Sequence, residues 1–184
     1  YYTVLFNSNS SSFSNNEVEG RMKIEFINHS IVSSNYFHNG LYLFNSHNIN
    51  IHNNNLSNGI SGIYLTGSTR NEIFENEIYQ NVGDGIRLSL SDLNNIHHNT
   101  LLNNGYNGYN GITISSSSNC WLHNNTVSGN TKIGVSIGRS GNGLASRANL
   151  LEHNNVSNNG IAFDDRSIFG HGFSIRGQEN IISN

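Results

Sequence analysis

One short pattern recurs six times in the 184 residues: an aliphatic residue, two others, Asn, one other, then an aliphatic residue or Phe. The instances are Val32/Asn35/Phe37, Ile51/Asn54/Leu56, Ile73/Asn76/Ile78, Ile96/Asn99/Leu101, Leu122/Asn125/Val127 and Leu151/Asn154/Val156. Successive Asn residues are 19, 22, 23, 26 and 29 positions apart. A second pattern, Gly-aliphatic-x-aliphatic, opens at Gly40, Gly62, Gly85, Gly111, Gly134 and Gly172. From that Gly to the next aliphatic of the first pattern the distance is 11 residues four times running, then 17 from Gly134 to Leu151. The longer step predicts a loop at 138–143.

Each pattern is a strand of two or three residues with period-2 alternation, too short to be stable alone. A repeat near 20 residues that cannot bury its own apolar face must stack on its neighbours. Three such strands per coil, with coils about 4.8 Å apart, place like residue over like. Aliphatics then form internal ladders, and the repeat Asn forms a column of amides bonded up and down the axis, as in cross-β stacks. The strand-opening Gly is expected to supply a positive φ for the preceding turn. Proline is absent, as expected where nearly every strand is central and Pro would delete a ladder bond. The reading is an all-β chain, a right-handed parallel β-helix of about seven coils. A left-handed β-helix wants strict six-residue steps, which the growing coils violate, and no 3.6-residue period supports a helical solenoid. Residues 1–19 lack the repeat and read as an N-terminal cap or incomplete coil; 20–184 read as the β-helix, and the whole as a piece of a longer chain.

The 36 Asn residues occur with only 11% charged residues, which is not the high-charge signature of disorder. Two Lys and seven Arg lie singly along a chain of net charge −3, so no basic stripe suggests nucleic acid. One cysteine, Cys120, excludes an internal disulfide framework. No apolar run reaches the roughly 18 residues of a transmembrane helix, and no signal-peptide pattern opens the chain.

The segment Asn48-Ile49-Asn50-Ile51-His52-Asn53-Asn54-Asn55-Leu56-Ser57-Asn58-Gly59 resembles the parallel β-helix repeats of NosD-type proteins and of carbohydrate-binding and sugar-hydrolysis domains in the pectate-lyase-like superfamily. The resemblance covers roughly 20–184. It implies the fold, and leaves function open among surface proteins, polysaccharide lyases, hydrolases and epimerases, and phage tailspikes. The NosD-type association with copper-site assembly is a functional implication of the same resemblance.

Four constellations could carry chemistry. Asp164 and Asp165, with His171 and Arg176, resemble the Asp pair and Gly-His-Gly of polygalacturonases, whose paired carboxylates act as acid and base. Here they are crowded together, with no third Asp, so a solvated turn is the plainer reading. His97, His123 and Glu152 occupy equivalent outward positions on successive coils and could bind Zn or Cu; an exposed polar column is the alternative. Tyr42, Tyr64, Tyr106, Tyr109 and Trp121 fall at outward or turn positions, where rings and amides could hold a sugar. Asn-x-Ser/Thr triplets begin at Asn9, Asn28, Asn55, Asn124 and Asn155 and could accept glycans.

The sequence thus favours an extracellular or cell-surface, secreted β-helix with a structural or adhesive role and room for glycan binding. A polysaccharide-active hydrolase or lyase comes second, and metal handling third. Expected partners are a polysaccharide or glycan, or neighbouring subunits at the solenoid ends. No obligatory cofactor is implied.

Overall fold

The computed structural model describes residues 2–6, 9–106, 108–138, 144–160 and 172–183. Its strands fall in threes along the chain: seven complete triplets, then a final pair. The first strands of each triplet form one eight-stranded parallel sheet: Tyr2–Phe6, Arg21–Glu25, Leu41–Phe44, Ile63–Thr66, Ile86–Ser89, Ile112–Ser115, Val135–Gly138 and Phe173–Ile175. The second sheet, also of eight, runs from Ser12–Ser14 through Asn50–His52, Glu72–Phe74, Asn95–His97, Trp121–His123 and Leu150–Glu152 to Ile181–Ser183. The third has seven strands, from Glu17–Val18 and Tyr36–Phe37 to Asn155–Ser157. Every strand skips two elements to find its neighbour, which is the connectivity of a parallel β-helix, right-handed as such crossovers almost always are. Within the segment 1–19, expected to be an N-terminal cap or incomplete coil, the strands Tyr2–Phe6, Ser12–Ser14 and Glu17–Val18 join the three sheets, one each.

Coil registers match the repeat. Ile51, Ile73, Ile96, Leu122 and Leu151 stack in one inward column of the second sheet, and all are at most 1% exposed. Asn35, Asn54, Asn76, Asn99, Asn125 and Asn154 form the expected ladder. Each rung's Oδ1 accepts the backbone N–H and the Nδ2–H of the Asn one coil before, at 2.9–3.1 Å.

Three further polar ladders line the other corners. Asn81, Asn104, Asn130 and Asn159 repeat the same bonding where the chain returns to the first sheet. Asn71 with Asn94, and Asn149 with Asn180, do so where it leaves; Cys120 interrupts this column, its N–H donating to Asn149 Oδ1 at 2.9 Å. Beside it the hydroxyls of Ser46, Ser68, Ser91, Ser117 and Ser146 each accept a backbone N–H from the coil before. The residue preceding each Asn rung is left-handed: in the first Asn ladder Ser34 (φ 55°), Asn53 (53°), Glu75 (53°), His98 (53°), Asn124 (54°) and His153 (51°). Such a conformation costs about 1–2 kcal/mol in a non-Gly residue, and the rung it aims inward gains several buried hydrogen bonds in exchange.

The strand-opening glycines correct one expectation. Of them, Gly40 does have a positive φ, +84°. At Gly62, Gly85, Gly111 and Gly134 no positive φ occurs; a Cβ there would lie 2.6–2.7 Å from the carbonyl oxygen of the glycine one coil on. Close approach of stacked backbones, not turn conformation, excludes a side chain.

Candidate functional site: the outer face of the first sheet

Alternation in the first sheet sends Leu41 and Leu43 inward, and with them sends Tyr42 and Phe44 outward. Parallel register then aligns Lys23, Tyr42, Tyr64, Arg87, Thr113, Ser136 and Ser174 in one outward column. Its first half is a tight aromatic and cationic cluster. The Arg21 guanidinium lies 4.6 Å from the Tyr42 ring centre, Lys23 Nζ 4.8 Å from that of Phe44, and the Arg87 guanidinium 5.7 Å from that of Tyr64. Tyr64 meets Tyr42 and Phe44 edge to face, at 5.8 and 6.2 Å. Lys23 also pairs with Glu25.

Tyr42 departs from the sequence expectation. It points outward, yet it is only 6% exposed, because neighbouring rings and Arg21 cover it and its Oη accepts the Ser61 N–H at 3.2 Å. It is a platform under the cluster, not an open contact.

Asp84, just before this sheet's strand, carries no signal in the repeat. It is 2% exposed; its Oδ1 accepts the Asn110 N–H at 2.8 Å, and Oδ2 lies 3.5 Å from Arg87 Nη1. Burial raises its carboxyl above the ordinary value, while the Asn110 N–H, Arg87, Thr113 and Lys132 pull the other way. The aspartate therefore caps the next coil's corner and tethers Arg87. The sequence signal was present in Asp84-Gly85-Ile86-Arg87, a charged pair straddling the strand start.

Further along, the face deepens into a trough of about 870 Å³ lined by Lys132, Ser136, Arg147, Ser174, Arg176 and Gln178 among others, with no carboxylate among the described lining residues. Arg176, expected beside a catalytic Asp pair, is exposed here with two other cations. Asp164, Asp165 and His171 lie outside the described residues.

The remaining aromatics are not gathered on this face. Tyr106 and Tyr109, 70% and 44% exposed, occupy the corner that leads into it. Trp121 lies on the second sheet and donates Nε1–H to Glu152 at 3.1 Å.

On that second sheet His97, His123 and Glu152 do align, one per coil. His52, Phe74, His97 and His123 stack as near-parallel plates, with centroids 4.7, 5.1 and 4.8 Å apart. Ring nitrogens of parallel plates aim side by side, not at a common point, and Glu152 is engaged by Trp121 and by Ser183 Oγ–H at 3.2 Å. His97 instead contacts Glu72 through Nε2 at 3.1 Å and His98 through Nδ1 at 2.9 Å. Desolvation, then the neighbouring His97 and His98, hold the His123 imidazole below its ordinary value. Among the described residues, the three-donor group within 4.8 Å is a different one on the third sheet's side: Glu17, Glu19 and His38. His38 Nε2 lies 3.0 Å from Glu17 and 3.5 Å from Glu19.

A family profile described as periplasmic copper-binding protein (NosD) matches residues 1–182. No curated protein sequence matches the chain. Among solved structures, the T265N T268M double mutant of the periplasmic alginate epimerase AlgG superposes with TM-score 0.75 at 21% identity, over 98% of this chain and 47% of that one. An alginate lyase from Paenibacillus sp. str. FPU-7 superposes with TM-score 0.74 at 13% identity, over 95% and 75%. DFA-IIIase from Arthrobacter chlorophenolicus A6 gives TM-score 0.68 at 19% identity, over 95% and 48%. At these identities the likeness is one of fold. The chain spans about half the length of the epimerase it matches.

Proposed function

We propose that this chain, which belongs to the NosD family, is an extracytoplasmic scaffold that binds an acidic polysaccharide along the outer face of its first sheet. One observation carries the reading: Arg21, Lys23 and Arg87 interleave with Tyr42, Phe44 and Tyr64, and the same face continues into the Lys132–Arg147–Arg176 trough. The half-buried rings of Phe44 and Tyr64, seated on the covered Tyr42, offer apolar surface to sugar faces, and guanidinium forks suit carboxylates bidentately. A stack of coils presents these groups at a fixed repeat of about 4.8 Å, so an extended chain can engage several at once. That two of the structurally similar proteins are alginate enzymes supports an acidic glycan as the ligand class. No helix among the described residues is long and apolar enough to cross a membrane.

Catalysis is not part of the proposal. Asp84 is committed to a backbone N–H and to Arg87, and its carboxyl is buried beneath the face it would have to serve. Titration calorimetry with alginate and polygalacturonate oligomers, beside a neutral glucan, tests the reading. Acidic oligomers should bind, weaken steeply with salt, and lose about tenfold or more in an Arg147→Ala/Arg176→Ala double variant. Equal binding by that variant would refute the site. Formation of unsaturated product that disappears in Asp84→Asn would replace it with the enzyme reading.

The copper in the family description can be set against the donors present. Cys120 and Met22 are both buried in the core, so they do not offer the accessible soft sulfur that suits Cu(I). Surface imidazoles and carboxylates are present and fit a borderline divalent ion, Cu(II) or Zn(II). The residues that would hold it are on the imidazole-bearing faces, where it would act as a fixed positive charge or a cargo.

A further inference from the structure

The geometry points to a divalent-metal site at His97 Nδ1 and His98 Nδ1, on the second sheet's outer corner, independent of the polysaccharide face. Three observations converge there. First, the two Nδ1 atoms are 2.9 Å apart, and the rings are nearly perpendicular, at 87°. Two metal–nitrogen bonds of about 2.0–2.1 Å span that separation when they meet near a right angle, which is the cis arrangement of a tetragonal ion such as Cu(II).

Second, the tautomer of His97 is fixed by its other nitrogen. A carboxylate only accepts, so the 3.1 Å contact between His97 Nε2 and Glu72 Oε1 places the proton of a neutral ring on Nε2. Nδ1 is left unprotonated on the side that faces His98. A carboxylate behind a ligating imidazole is the usual supporting arrangement at metal sites. In the metal-free form His98 then donates Nδ1–H to His97; on binding, that proton moves to His98 Nε2 through solvent, and two lone pairs face the ion.

Third, the His97 ring and the His98 backbone are both held in place. His97 is clamped between Phe74 and His123, 5.1 and 4.8 Å away, and its side chain is 15% exposed. His98 sits on a left-handed corner residue (φ 53°) whose backbone is set by the buried Asn99 rung beside it. A prearranged pair loses little freedom on binding. The site replaces His123 and Glu152 as partners of His97, since the former stacks face to face with it and the latter is held by Trp121.

Titration of the protein at neutral pH with Cu2+ alone and with Zn2+ alone tests the assignment. His98→Asn is the informative variant, because Asn53 and Asn124 occupy the same corner with φ 53° and 54°, so the fold should survive; circular dichroism checks that it does. Cu2+ affinity should fall at least tenfold in His98→Asn, and about tenfold in Glu72→Gln, as for other supporting carboxylates. It should be unchanged in Glu17→Gln and in His153→Asn. The Cu2+ electron paramagnetic resonance spectrum should show coupling to two imidazole nitrogens and lose one in His98→Asn. Wild-type affinity in His98→Asn, a spectrum dominated by oxygen ligands, or loss of binding in Glu17→Gln instead would overturn it.

Discussion

Replacing Asn76 by Ala should remove one of the two most connected rungs of the first Asn ladder, the other being Asn99. Its Oδ1 accepts the Asn54 N–H and Nδ2–H, both at 3.0 Å. Its Nδ2 donates to Ile51 O at 2.9 Å, Phe74 O at 3.0 Å and Asn99 Oδ1 at 2.9 Å. The residue is 1% exposed, so water cannot replace what is lost. The variant strands the Asn54 N–H and one Asn54 amide hydrogen, and each buried unpaired group costs about 1–3 kcal/mol. With a small cavity added, the loss should be about 3–5 kcal/mol. Asn154→Ala is the control. That rung accepts from Asn125 but has only Leu122 O as acceptor for its own amide, and it is partly exposed, so about 1–2 kcal/mol is expected there. Urea unfolding followed by circular dichroism gives both values. A loss below about 1 kcal/mol for Asn76→Ala, or one no larger than for Asn154→Ala, would refute the view that the ladder holds coils together. Asn76→Asp separates shape from donor chemistry: a buried carboxylate facing Ile51 O and Phe74 O should keep its proton above the ordinary range, so stability should fall as pH rises above the ordinary carboxylate value.

Gly85→Ala would bring a Cβ to 2.7 Å from Gly111 O and 2.8 Å from Leu101 Cδ2, and should destabilise by about 2 kcal/mol or more, whereas Gly108→Ala meets open space at φ +84° and should cost only about 1 kcal/mol of conformational strain; thermal melts of the two rank them. Because His123 is held below its ordinary value of 6.5, the unfolded chain takes up a proton that the folded one refuses. Stability should therefore fall as pH drops below that value, and His123→Phe, matching Phe74 in the same column, should flatten that slope in pH-dependent melts. The Cys120 thiol, pushed up to about 12 by burial, should not react with a disulfide reagent at pH 8 in the folded protein and should react fully once urea unfolds it.

The coil plan was legible because parallel stacking repeats sequence at the same place on every coil. Asn35 through Asn154 fixed that register unaided, and with it the alignment of His97, His123 and Glu152. The second corner ladder was not legible, because Cys120 breaks the run between Asn94 and Asn149, and Ile49 precedes Asn71 in the same column. Register also says which residues share a face but not how rings turn: His123 stacks face to face on His97, and it is His98, one residue on, whose Nδ1 comes within 2.9 Å of His97 Nδ1. Tyr42 is more covered than its outward position suggests, for a related reason. Outward direction follows from alternation, whereas cover depends on side chains from neighbouring coils, here Arg21 and Tyr64. Asp84 escaped notice because an acid before Gly reads as an ordinary turn residue until its corner is seen to be dry.

The coils differ in length while their rungs stay in step: successive ladder bonds join residues 19, 22, 23, 26 and 29 apart. Extra residues are absorbed at corners, and the strands never notice. A whole coil could thus be duplicated or deleted without leaving a rung unmatched, while a shift of one residue would turn every side chain of a strand to the wrong side. Descent with this architecture is constrained to whole-coil changes in height and nearly free changes in corner length. The outer faces behave as rulers, lengthened in steps of about 4.8 Å, on which each new coil adds one more position per column for a side chain to be tried.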